Sequence, residues 1–203
     1  MQRKYYESKQ GKPIYLRDTA PINFDIGLLI KKIDKIDDMY LKNIKKFIFV
    51  RQERLENKKA QHKKGTIFVS NEIYDIDKCF SSILREVAHI FYKENKEKIS
   101  KNIREEFYTK KVNFYYDFVT KTNKVPLCDF LYEERNKNFD SFIKRSDNET
   151  LEKAAKRHFL NKNSIFSMQD YFSDCFIGFY QKKKTKLKIN HKKVYKIIKD
   201  STI

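Results

Sequence analysis

"SSILREVAHIFYKE", residues 81–94, is the stretch on which the reading of the fold turns. Ile83, Val87 and Ile90 recur at helical spacing, and Leu84, Ala88 and Phe91 widen that face, so a largely buried helix is expected here. Asp75 or Asp77 is placed to cap its start. Arg85, Glu86 and His89 share one side of this helix, because residues three and four apart are neighbours on a helical surface. Two histidines at such a spacing, with a glutamate beside the first, would offer zinc two nitrogen ligands and its bound water a base. The first of those positions is Arg85, whose guanidinium stays protonated and has no lone pair to donate. Taken alone, the Glu-x-x-His pair is a weak signal, since a histidine beside apolar residues is commonly a hydrogen-bonded packing residue. Its surroundings give it weight.

Upstream, "KPIYLRD" at 12–18 and "INF" at 22–24 are candidate extended segments. "DIGLLIKKIDKIDDMYLKNI" then changes to helical periodicity, with Leu29, Ile33, Ile36 and Tyr40 in one stripe and Ile30 and Leu41 at its edges. "KKFIFVRQ" at 45–52 and "TIFVSN" at 66–71 carry the β-branched and aromatic residues of strands, while "ERLENKKAQHKKG" at 53–65 reads as an exposed helix-to-loop segment. Downstream, helices are expected over 105–119, about 128–144 after the break at Pro126, and 148–160. Two more begin near "SMQDYFSDCFIGFY" and "NHKKVYKIIKD". In the first of these, Phe172, Cys175, Phe176 and Phe179 are expected to face the core, with Asp170 and Asp174 one turn apart on the other side. The class is α+β, mainly helical with a small β-sheet, in one domain spanning residues 1–203.

Composition agrees with such a chain. At 203 residues, 40% hydrophobic with seventeen Phe and thirteen Tyr, it can bury a core without disulfides. Four Gly and three Pro argue against a Gly-rich nucleotide loop or a repetitive chain. Cys79, Cys128 and Cys175 lie far apart, and Cys79 and Cys175 sit among apolar residues, which fits packing in a reducing compartment. The first twenty residues contain no apolar signal segment, which points to the cytoplasm. The longest apolar runs, such as "IGLLI" at 26–30, are too short to span a bilayer.

The net charge of +18 favours encounters with acidic proteins, nucleic acid and anionic lipids. Residues 181–200 hold nine Lys and one Asp, and Lys182, Lys183, Lys184, Lys186 and Lys188 form a candidate anion-binding run whose plainer reading is a solvated face. Lys-flanked His62 reads as exposed, His158 as a packing residue, and His191 as part of the start of the terminal helix.

Three stretches together resemble the anthrax toxin lethal factor-like zinc-metallopeptidase fold, which secreted Pro-Pro endopeptidases are also similar to. "GTIFVSN" corresponds to the strand before the active-site helix, "CFSSILREVAHIFYKE" to the zinc helix, and "MQDYFSDCFIGFY" to a later helix, followed by a basic stretch and a terminal helix. The order and approximate spacing agree over most of residues 12–201. Carried across, the resemblance implies a broken constellation. The first zinc histidine falls on Arg85, the general base on Glu86, the second histidine on His89 and the third ligand, normally Glu, on Asp170. Asp174 takes the acidic position one turn later, and "HFLNKNSIFS" has no counterpart of the family's tyrosine. Arg85 would then pair with a carboxylate such as Asp170 or Glu86 where the metal would lie.

The expectation is a catalytically inactive, metallopeptidase-like module that carries no cofactor and binds a protein partner, of acidic character where the charge selects it. A toxin component or a regulatory protein would both fit, and the resemblance admits secretion. The first alternative is a zinc-dependent endopeptidase using His89, Asp170 and a further ligand, with Glu86 activating water. The second is a basic nucleic-acid-binding regulatory protein, for which non-specific binding is expected and no base-reading module is recognised.

Overall fold

Two short runs, "KFIFV" and "TIFVS", form the middle of a mixed sheet, because alternate side chains along each can be buried on one face. The structure, a computed structural model, describes residues 4–17, 24–122, 148–181 and 183–200. The chain's contacts separate into two units, Met1–Asn95 and Lys96–Ile203. Among the described residues the chain is predominantly helical with one five-stranded sheet, the α+β class expected from the sequence.

In the first unit the strands are β1 (Lys4–Glu7), β2 (Pro13–Leu16), β3 (Lys46–Val50), β4 (Ala60–Lys63) and β5 (Thr66–Ser70). Their order across the sheet is β1-β2-β3-β5-β4. β2, β3 and β5 are parallel, and the two edge strands β1 and β4 run antiparallel to their neighbours. Ile14, Phe47 and Ile67 stand opposite one another, as do Leu16, Phe49 and Val69, and these rows form the inner face. Ile14, Phe47, Phe49, Ile67 and Val69 are all buried.

The helices α1 (Ile26–Ile33), α2 (Asp38–Leu41) and α3 (Ile76–Glu94) cover that face, α3 packing on β4 and β5. Asp75 caps α3, its carboxylate accepting the N–H groups of Asp77 and Lys78. Ile83, Leu84, Val87, Ala88, Ile90 and Phe91 are buried, as the periodicity requires, each large side chain contributing about 1.5–3 kcal/mol. Lys32 on α1 pairs with Asp77 at 2.8 Å, and the rings of Tyr40 and Phe91 meet edge-on at 4.6 Å. The helical stripe read over 25–44 is interrupted at Asp34–Asp37, yet Ile36 and Tyr40 still reach the core.

One expectation fails in an informative way. Residues 53–65 are not a helix-to-loop segment: a 3-10 turn at Gln52–Leu55 leads into β4. "AQHK" has little intrinsic preference for a strand, and pairing with β5 imposes the conformation. The two strands join through Lys64 and Gly65, at φ 49° and 76°, the doubly positive pair that a tight hairpin turn requires. A Cβ at Gly65 would also press on Lys45 Cγ at 3.1 Å and Asn43 O at 3.3 Å.

The second unit is helical: α4 (Lys96–Thr122), α5 (Asn148–His158), α6 (Met168–Tyr180), α7 (Lys184–Asn190) and α8 (Lys192–Asp200). Its core is aromatic. Phe159 meets Phe107, Phe114 and Tyr171 edge-on with centroids 6.1, 6.3 and 5.7 Å away, the arrangement that ring quadrupoles favour. α6 is buried along most of its circumference, so Asp174 does not face outward as the stripe reading supposed: it is 4% exposed. Gly178 lets the segments on both sides of α6 approach it, since a Cβ there would lie 3.2 Å from Leu160 Cδ1 and 3.6 Å from Leu187 Cδ1. The basic run forms a separate short helix, α7, that the sequence did not signal. The helix read over 128–144, Pro126, Cys128 and Lys182 lie outside the described residues. No helix among the described residues is long and apolar enough to cross a membrane.

Candidate functional site

The sequence-derived site divides between the two units. Arg85, Glu86 and His89 lie on α3 in the first, and Asp170 and Asp174 on α6 in the second.

On α3 the three residues are half-buried and share the side that approaches β4. The carboxylate of Glu86 has a definite partner: its Oε2 accepts the backbone N–H of His62 at 3.0 Å. That N–H points away from the ladder. Ser70 N–H donates to Lys59 O, and antiparallel pairs alternate, so the pair of His62 with Ile67 is a non-hydrogen-bonded one. Glu86 therefore satisfies an edge-strand donor. Burial raises its pKa above the usual carboxylate value, while the His62 N–H, Arg85 and Lys58 pull it back.

His62 is not the exposed residue its flanking lysines suggested. It is half-buried, and its Nε2 accepts the N–H of Gly65 at 3.0 Å, which places the ring proton of the neutral form on Nδ1. Burial lowers its pKa, with Glu94 opposing and Lys93 reinforcing the shift. The strand, its turn and the helix thus meet at two residues, His62 and Glu86. To a zinc ion α3 offers one imidazole, His89, where a His-Glu-x-x-His helix offers two. That is one ligand fewer than the pattern supplies, and among the described residues no group of three or more His, Cys, Asp or Glu is placed to hold a metal.

The α6 carboxylates have local duties. Ser167 caps the helix, its Oγ accepting the Asp170 N–H at 3.0 Å and donating to Asp170 Oδ2 at 2.7 Å. The "SMQD" spacing is a capping pattern legible in the sequence. Asp174 Oδ2 accepts the Ser164 hydroxyl at 2.5 Å and so ties α6 to the 3-10 turn Lys162–Ile165. This turn occupies the stretch where the resemblance has its tyrosine. His158 packs as expected of a helix residue, its Nε2 lying 2.7 Å from Asp117 Oδ2.

A buried polar network in the second unit escaped the sequence reading. Tyr171 Oη donates to Glu106 Oε1 at 2.6 Å and lies 2.9 Å from His191 Nδ1. Glu106 Oε2 in turn accepts the N–H of Lys193 at 2.9 Å. Burial pushes the His191 pKa down to about 3, helped by Lys110 and Lys186, so this imidazole is neutral. Burial also pushes the Cys175 thiol well up, helped by Asp174 and Glu106. A fully buried thiol held protonated is a poor nucleophile. The network fastens α4, α6 and the start of α8 together. Its members are 20 to 87 positions apart in the chain, a separation that no local motif spans.

Of the anion-binding candidates, Lys183, Lys184, Lys186 and Lys188 are exposed on and beside α7, and Lys184 Nζ sits 4.2 Å over the Phe179 ring. Exposed Lys192, Lys193, Lys196 and Lys199 on α8 extend the basic surface, while Val194, Ile197 and Ile198 are buried.

No protein-family model, no curated protein and no solved structure matches this chain.

If Glu86 serves the edge strand, its amide analogue should serve as well. Glu86→Gln keeps an acceptor for His62 N–H and should fold at least as stably as the parent at neutral pH. Glu86→Ala leaves the donor unpaired and should cost about 1–3 kcal/mol in denaturant unfolding. The pH dependence has a definite sign. A raised folded pKa means that the contribution of Glu86 is fully present below its ordinary 4.5 and is lost as pH rises through the folded value. The stability advantage of Glu86→Gln should therefore shrink as pH falls towards 4.5.

Proposed function

We propose that the chain is a non-catalytic binding module for a protein partner of acidic character, built on a metallopeptidase-like frame. The observation that carries the reading is the bond from His62 N–H to Glu86. The carboxylate that the resemblance puts in the place of a general base has its Oε2 engaged by the protein's own edge strand, a structural use that needs no metal. Arg85 at the neighbouring ligand position supplies a fixed cation in place of a lone pair. Asp170, which the resemblance makes the third ligand, is held by the Ser167 cap.

Binding is supported by charge. A net +18 with lysines clustered and exposed along α7 and α8 gives a field that draws an acidic surface and speeds encounter. The short, mostly solvated α7 can present its lysines without disturbing the core, because Leu187 alone of its side chains is buried.

Purified protein supplied with zinc should retain well under one equivalent after dialysis. One tightly held zinc per chain, lost with His89→Ala, would contradict the non-catalytic reading. For the binding surface, changing Lys183, Lys184, Lys186 and Lys188 together to Gln should leave the melting temperature nearly unchanged. It should also weaken association with an acidic polypeptide severalfold, and added salt should do the same to the parent. An unchanged affinity would remove the α7 surface from the account.

A further inference from the structure

The helices of the first unit gather on the inner face of the sheet: α1 and α2 both pack against α3, and Phe24, just before α1, meets the inner-face Phe49 at 6.5 Å. The opposite face carries a different set of side chains, ordered by the strand register. Its central row is Tyr15, Ile48, Phe68 and Gln61, on four successive strands. Two residues along lies a second row, Lys46, Thr66 and Lys63. On the other flank Arg17 follows the end of β2, its N–H donating to Phe49 O at 3.1 Å. Tyr15, Lys46, Ile48 and Phe68 are half-buried, and Arg17 and Lys63 are exposed. A cavity of about 310 Å³ opens here, lined by Tyr15, Arg17, Lys46 and Ile48, and none of these residues is acidic. Lys46 Nζ stands 5.8 Å from the centre of the Tyr15 ring.

We infer that this outer sheet face is a binding site for single-stranded nucleic acid, with a base stacked on Tyr15 and the flanking phosphates held by Arg17 and Lys46. The rows lie about 6.6 Å apart along the strands, so Lys46 and Lys63 flank the central row on one side and Arg17 flanks Tyr15 on the other, where Val50 and Ser70 are buried. Tyr15 and Phe68, two strands apart, stand about 10 Å from each other and give two ring positions along the path. Stacking with backbone neutralisation is how unspecific single-strand sites work, because every base has a flat face and every linkage a charge. The cavity has the size of a small-ligand pocket, enough for one nucleotide unit. An extended peptide would favour strand addition at a sheet edge, and on β4 the outward N–H of His62 is already taken by Glu86. The site is built from residues of the first unit alone and stands or falls without the α7 lysines.

The test is fluorescence anisotropy of a labelled twelve-nucleotide oligothymidine with the full chain at low salt. Arg17→Glu with Lys46→Glu should weaken binding roughly tenfold or more and flatten the log–log salt dependence by about two. Tyr15→Leu keeps the apolar bulk and removes the ring, and should cost roughly fivefold or more with the salt dependence unchanged. If Tyr15→Leu fails to fold by circular dichroism, Phe68→Leu takes its place with the same expectation. Lys31→Glu with Lys35→Glu alters the net charge equally at α1 and the turn after it, away from the lining residues, and should change affinity less than threefold. Failure of the intact chain to bind would overturn the inference. So would an equal loss in the charge-matched control, or full affinity in the ring variant. A twelve-residue polyglutamate that binds as tightly and is lost with the same substitutions would assign the face to an acidic peptide instead.

Discussion

A sheet edge must do something with the N–H groups that point out of it, and in the first unit that constraint is met by a helix side chain. β4 is short, polar and weakly inclined to be a strand, so it depends on what holds its two sides. On one side the hairpin with β5 is closed by Lys64 and Gly65 at positive φ. On the other, Glu86 accepts the His62 N–H. The same residue, His62, returns through its ring to the Gly65 N–H. Helix, strand and turn are thereby locked by two hydrogen bonds, and a carboxylate that would otherwise be costly to bury finds its use.

Oε2 of Glu86 is given to the edge strand, where it accepts the His62 N–H. Arg85 beside it pulls the Glu86 pKa down, which lowers the cost of keeping that carboxylate charged. In the second unit the pattern repeats with different chemistry: Asp170 caps its own helix, Asp174 ties down a turn, and Glu106 orders three helices through Tyr171 and Lys193. Acidic residues, the minority charge in this chain, are spent on architecture. The lysines of α7 and α8 are left exposed at the surface.

How much of this was legible follows from where each signal lives. β3, β5 and α3 could be read because their own residues carry the preference: "KFIFV" and "TIFVS" in period two, and Ile83, Val87 and Ile90 in period 3.6. β4 could not, because "AQHK" becomes a strand through its partner, and the partner of Glu86 is a backbone atom 24 residues away in that unrecognised strand. The Ser167–Asp170 cap was present as a spacing in the sequence, whereas the burial of Asp174 rested on a hydroxyl in a turn that no periodicity marks. The resemblance to a zinc-metallopeptidase fold rests on residues of α3 that local spacing displays. The reason Glu86 matters came from its geometry.

The claim that Glu86 completes the edge strand is tested most directly by amide hydrogen exchange at His62. In the parent protein this N–H should be protected although it faces away from the ladder. In Glu86→Ala its protection should fall by at least tenfold, while the β3–β5 amides keep theirs. Free exchange of His62 in the parent, or unchanged protection in Glu86→Ala, would contradict the structural role of Glu86 and reopen that carboxylate to catalysis.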